Sequence, residues 1–169
     1  MSVFDFAASL MGMDEDTWMR YANPASGWSR ILTFPFTVAS LFSRKWLGWW
    51  FMVPVMLVGL WTWLNPRIFH RASSTKNWAS KAVLGEKIFI TRRKNNESLP
   101  SHHVMAGNIT TAIASLGGMF LIYGVIVLHI WPTLLGAAVS FLGKMWFVDR
   151  MVWLFEDMKH LPEYQELDY

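Results

Sequence analysis

The chain has 169 residues, a net charge of +3, 53% apolar and 16% charged residues, and no Cys. Without Cys it holds no disulfide, no thiolate metal site and no cysteine nucleophile. The small positive excess lacks any basic groove interleaved with aromatics, which excludes nucleic acid, and the long apolar blocks exclude an ordinary soluble domain.

Residues 1–24 read as an interfacial segment. Val3, Phe4, Phe6, Ala7, Leu10 and Met11 recur at helical spacing, which predicts a short amphipathic helix lying on a membrane surface. The stretch has no positive leading region and carries Asp5, which argues against a cleaved signal peptide. Asp14-Glu15-Asp16 separates it from Asn23-Pro24, a helix start in which Asn caps free backbone N–H groups and Pro suits the first turn.

Residues 25–64 read as a first transmembrane hairpin. Ala25 to Phe42 is interrupted by Arg30 and contains Pro35. It is expected to cross fully, kinked at Pro35, with Arg30 snorkelling to the interface; a re-entrant segment is the alternative. After a turn at Ser43-Arg44-Lys45, Trp46 to Leu64 is a stronger span. Trp46, Trp49 and Trp50 stand at one end and Trp61 and Trp63 at the other, where indole rings settle at headgroup level. Asn65-Pro66 is expected to stop this helix.

Residues 65–104 form a basic, membrane-associated loop with eight Lys or Arg, a bias that assigns it to the cytoplasm. Asn77 to Leu84 reads as a short helix capped by Asn77 and ended by Gly85, followed by an apolar patch to Thr91 and the cluster Arg92-Arg93-Lys94. Both pieces are expected on the inner leaflet, basic side toward lipid phosphates.

Residues 105–155 read as a second hairpin: Met105 to Leu128, a turn at His129-Ile130-Trp131-Pro132, and Pro132 to about Leu154. Each apolar run covers the roughly 20 residues needed to cross about 30 Å of hydrocarbon. Gly107, Thr111, Ser115 and Gly118 on one span, and Gly136, Ser140 and Gly143 on the other, form small faces that permit close packing in lipid. Residues 156–169 form an acidic C-terminal tail in which Glu156 to His160 continue the helix until Pro162 and the remainder to Tyr169 is expected to fray. The chain is therefore expected to be all-α: a single integral membrane domain over 1–169, a four-helix bundle of two antiparallel hairpins with amphipathic surface helices. Both termini fall on the cytoplasmic side of an inner membrane.

Polar side chains that could carry chemistry concentrate at the cytoplasmic end of the last span. Asp149, Arg150, Glu156 and His160 share one broad helix face, and His102 and His103 map to the same side. Glu156 and His160, four apart, would suit a metal, yet His102-His103 are adjacent and no H-x-x-x-H spacing accompanies them. Interfacial polar histidine is the simpler reading, and neither metal nor cofactor is assigned. Lys144 lies one and a half turns deeper, where snorkelling outward is the simpler reading and neutralising a buried acid or a lipid phosphate the alternative. Arg30, Arg67, Arg71, Arg92, Arg93 and Lys94 are candidate ligands for anionic lipid headgroups.

In Trp18-Met-Arg-Tyr-Ala-Asn-Pro24, Trp63-Leu-Asn-Pro-Arg67, Asn77-Trp-Ala-Ser-Lys-Ala-Val-Leu-Gly-Glu86 and Asp149-Arg-Met-Val-Trp-Leu154, the chain resembles a family of small uncharacterised prokaryotic membrane proteins. The resemblance implies a polytopic membrane domain and brings no activity. Function is expected to be association, as a homo-oligomer or an accessory subunit of a membrane complex. An interfacial lipid- or metal-binding enzyme is the second expectation. The third is an oligomeric channel or transporter using a polar path along Asn108, Thr111 and Ser115.

Overall fold

The computed structural model describes residues 15–169. The amphipathic helix expected within Met1 to Met13 lies outside the described residues. All regular structure among the described residues is helical: α1 (Glu15–Tyr21), α2 (Pro24–Phe42), a single turn α3 (Arg44–Leu47), α4 (Met52–Ile68), α5 (Trp78–Lys94), α6 (Ser101–Ile126) and α7 (Ile130–Met158). Three helical stretches are long and apolar enough to cross a membrane: Pro24–Ile68, Ser101–Ile126 and Ile130–Met158.

The first of these stretches folds back on itself. Asn23 caps α2 by accepting from the backbone N–H of Ala25, as its sequence position predicts. The reversal uses α3 and a 3₁₀ turn over Gly48–Phe51, with Gly48 at φ +53°, a conformation that strains any side chain bearing a Cβ. Trp46, Trp49 and Trp50 therefore sit on the turn, largely exposed, and α4 begins at Met52 and not at Trp46. The two legs are tied at their far ends by Asn65. It is fully buried, accepts a hydrogen bond from Ser26 Oγ (2.6 Å) and donates to Ser29 Oγ (2.7 Å). Asn65-Pro66 thus acts as an interhelical tie, and α4 continues through Pro66 to Ile68.

α6 and α7 form the second hairpin, packed backbone to backbone. A Cβ on Gly124 would lie 2.4 Å from Thr133 N, on Gly136 2.2 Å from Leu121 N, on Gly117 2.3 Å from Ser140 N, and on Gly143 2.7 Å from Ala114 N. Thr110, Ala114, Gly117, Leu121 and Gly124 alternate at three and four residues, as do Thr133, Gly136, Ser140 and Gly143. That repeat of 3.5 keeps one seam facing the partner in a left-handed supercoil. The seam lies one residue away from the Thr111-Ser115-Gly118 face, and a Cβ on Gly118 meets nothing within 4 Å. α6 ends with Leu128 at φ +54° and the His129 N–H bonded back to Gly124 O, a Schellman-type reversal that moves the turn ahead of Ile130.

Within the 65–104 segment, the short helix and separate apolar patch expected from the sequence are one continuous helix packed into the core. α5 runs unbroken through Gly85, because Gly85 is a contact point and not a cap: its Cβ would lie 1.9 Å from the Met151 carbonyl oxygen of α7. Val83, Leu84, Ile88 and Phe89 bury the α5 face against Phe147, Met151, Leu154 and Phe155 of α7, with Met19 of α1 and Ala22 just after it closing the cluster. Ser80 Oγ donates to Ala22 O, locking the α1–α2 junction onto the start of α5. This cluster is the largest buried apolar core among the described residues. The outer faces of α2, α4, α6 and α7 leave large apolar side chains exposed, among them Leu32, Phe36, Met56, Leu57, Met119 and Ile122. The tail expected to fray folds back: Thr75 N donates to Tyr169 O (2.7 Å), Tyr169 OH donates to Ala72 O (3.1 Å), and Lys159 faces Asp168 at 3.5 Å.

Gly85→Ala is expected to lose about 1–3 kcal/mol by overpacking against Met151, which exceeds the roughly 0.5–1 kcal/mol that Ala gains over Gly inside a helix. Gly118→Ala, in open space, is expected to keep that gain. Thermal unfolding of both variants in one detergent reads the difference in sign.

Candidate functional site

A cavity of about 460 Å³ lies where α2, α5, α6 and α7 meet. Its walls are largely apolar, built from Ile31 and Phe34 of α2, Ala82 and Val83 of α5, and Phe141 and Val148 of α7. Three charged side chains reach it: Arg30, Glu86 and Lys144. Glu86 is presented because Gly85 brings α5 directly onto α7, and Lys144 Nζ meets Glu86 Oε1 at 2.8 Å. Lys144 thus pairs with a largely buried acid while its own side chain stays half exposed. Thr111 and Ser115, expected on a small packing face, line the cavity, whereas Asn108 accepts a hydrogen bond from Arg93 (3.1 Å).

Arg30 reaches back past the start of α2 to Tyr21 and is largely enclosed by protein. Its guanidinium carbon lies 3.2 Å from the Tyr21 ring centroid, and its Nη2 donates to Tyr21 O at 3.2 Å. Nη1 is buried with no hydrogen-bond partner, and no carboxylate stands within ion-pair distance of Arg30 among the described residues. A cation in that position lacks the anion that normally compensates its lost hydration. At the rim, Trp28 and Trp78 stack with centroids 5.6 Å apart, and Trp78 Nε1 donates to Asp149 Oδ1 at 3.0 Å.

The remaining sequence candidates divide between structural ties and a second polar cluster. Glu156 pairs with Lys81 and with Lys159 (2.7 Å), not with His160, whose side chain is exposed. Arg150 has a buried Nε without a partner. Arg92 is held by Glu163, Tyr164 OH (3.0 Å) and Ser98 O (2.7 Å), which ties this residue of α5 to Glu163 and Tyr164 beyond α7. Burial pushes the Tyr164 phenol up, against the opposing pull of Arg92. Arg67 stacks on Trp63 with 4.0 Å to the ring centroid, Arg93 lies over Phe89, and Lys94 is exposed at the end of α5. Arg71 reaches Asp16 at 2.7 Å.

His102 and His103, near the start of α6, converge with Asp157, near the end of α7. His103 Nε2 lies 2.8 Å and His102 Nε2 3.7 Å from the same Asp157 oxygen, and the two rings are 4.1 Å apart. This grouping had no signature in the sequence, since its carboxylate lies 54 residues beyond His103. The cluster and Lys144 are separated by 13 residues of α7, about 20 Å of helix.

A family model described as a family of unknown function, DUF6653, matches residues 2–165. No curated protein and no solved structure matches the chain.

Hydrogen bonds from Arg71 and then Arg20 hold the Asp16 carboxyl below the usual carboxylate range. A depressed folded-state pKa stabilises above the unfolded value, about 4 for Asp, and that contribution is lost as pH falls through the folded one. The amide protection factors across 15–21, exchange rates corrected for the intrinsic rate at each pH, are therefore expected to fall on acidification in the wild type. In Asp16→Asn they should already be low at neutral pH and change little.

Proposed function

Since the chain belongs to this family of unknown function, no activity comes with the family, and we propose that it is an integral membrane protein that binds an anionic lipid in the cavity between α2, α5, α6 and α7. The single observation that carries this reading is Arg30: a buried guanidinium nitrogen without a partner, facing an apolar cavity whose one acid is already matched by Lys144. An anionic headgroup supplies the missing acceptor, and an acyl or isoprenoid chain suits the walls. Charge-assisted hydrogen bonds of this kind are the strong ones in a site shielded from water. The volume falls in the range of ordinary ligand pockets, about 300–1,000 Å³, which accommodates a headgroup and the start of a chain whose remainder lies in the bilayer.

Membrane residence is supported by the three long apolar stretches and by large apolar side chains left exposed on their outer faces, far more than a water-soluble monomer carries in one patch. The reversal at Gly48 divides the first stretch into two legs, so four crossings are the natural arrangement. The eight basic residues of Asn65 to Val104 then lie on the cytoplasmic side with both termini, with Arg44 and Lys45 opposite. Of the small residues, Gly117, Gly124, Gly136 and Gly143 are consumed within the α6–α7 hairpin, whereas Gly118 faces open space.

Full-length protein in zwitterionic nanodiscs, titrated with an anionic lipid of the same acyl chains, tests the reading. The wild type is expected to retain the anionic lipid selectively. Arg30→Gln should lose about 2 kcal/mol of that selectivity, the net worth of a charged hydrogen bond, or roughly thirtyfold in affinity. Equal retention of both lipids by the wild type would overturn it.

A further inference from the structure

We propose that His102, His103 and Asp157 form a site for one divalent transition-metal ion, with Zn²⁺ the best chemical fit, at the base of the α6–α7 hairpin. The site is separate from the lipid cavity and does not rest on that reading. Three donor atoms of the right type converge there, one each from two imidazoles and a carboxylate, all within 4.8 Å of one another. An ion bound by nitrogen and oxygen at about 2.0–2.2 Å in tetrahedral geometry sets its ligands roughly 3.3–3.6 Å apart. The observed separations from Asp157 Oδ2, 2.8 and 3.7 Å, bracket that spacing.

The donor set selects the metal class. Imidazole nitrogen with one carboxylate suits Zn²⁺ and its neighbours, whereas Mg²⁺ and Ca²⁺ require mostly oxygen. Proteins place such sites where one ligand is rigid and an open side admits water, and both conditions are met. His103 is 1% exposed and fixed in the α6–α7 seam, while the side chains of His102 and Asp157 are 60% and 52% exposed. No Lys or Arg pairs with Asp157 among the described residues, so its charge is left to the two histidines. At 3.7 Å, His102 is too far to hydrogen bond to that oxygen, and a shared ion is what would engage both rings with it. The bound ion would join the first turn of α6 to the last turn of α7, closing the hairpin at the end opposite Leu128.

The test uses full-length protein in detergent, stripped with a chelator and titrated with Zn²⁺ alone, read by calorimetry and by elemental analysis after dialysis. One equivalent of Zn²⁺ is expected per chain, with a rise in Tm, since an ion that binds only the folded state stabilises it. Co²⁺ in its place should give d–d absorption typical of nitrogen and oxygen ligands. His102→Ala and Asp157→Asn, both at exposed positions that leave the core intact, should each weaken binding at least tenfold and abolish the Tm rise. His160→Ala, one turn further along, should bind as the wild type does. Failure of the wild type to retain an equivalent of metal, or Zn²⁺ binding of equal strength in His102→Ala and Asp157→Asn, would overturn the proposal.

Discussion

The contact between Gly85 and the Met151 carbonyl is the constraint on which the rest of the structure depends. A helix that can lay its backbone on another helix brings the side chains on either side of the crossing into fixed register. Here the crossing sets Glu86 beside Lys144, Trp78 beside Asp149 and Lys81 beside Glu156, three polar contacts between α5 and α7. It also buries Phe89 beneath Gly107, where a Cβ would approach the ring within 2.8 Å, so α6 is engaged by the same placement. With α5 anchored in this way, α2 can close the remaining side and form the cavity around Arg30.

Two kinds of packing meet at this crossing. Between α6 and α7 the contact is made mostly of Gly, Ala, Ser and Thr, the close van der Waals packing that suits helices long and apolar enough to cross a membrane. Around α1, α5 and the last turns of α7 the contact is made of Leu, Ile, Phe and Met with salt bridges at its edge, the composition of a water-facing core. α7 belongs to both. Its first half is a slender partner for α6, and its second half carries Phe147, Met151, Leu154 and Phe155 into the core. The cavity lies at the junction, where apolar walls and charged side chains are available together.

Both hairpins were legible in the sequence, because hydrophobic run length, Trp at the run ends and Asn23-Pro24 are local signals with local causes. What escaped is what depends on contacts far apart in the chain. Gly85 followed by a polar residue is locally indistinguishable from a helix cap, and only Met151, 66 positions on, shows it to be a crossing point. Asn65-Pro66 carries the pattern of a helix stop but acts through Ser26 and Ser29. The α7 side of the small-residue seam, Gly136, Ser140 and Gly143, was legible, but the α6 side was placed one position away, on Gly118 and not Gly117, since composition marks a small face without fixing its rotation. Arg92 was read as a lipid ligand because Glu163 and Tyr164 are distant in sequence, and the His102-His103-Asp157 cluster eluded motif spacing for the same reason.

The most direct test of this arrangement is zero-length carbodiimide crosslinking of the wild-type chain in mild detergent, followed by peptide mass spectrometry. If α5 is seated on α7 through Gly85, amide links should form within one chain between Lys81 and Glu156 and between Lys144 and Glu86. The i,i+3 pair Glu156–Lys159 serves as the local control. Recovery of the local link without either link from α5 to α7 would contradict the account.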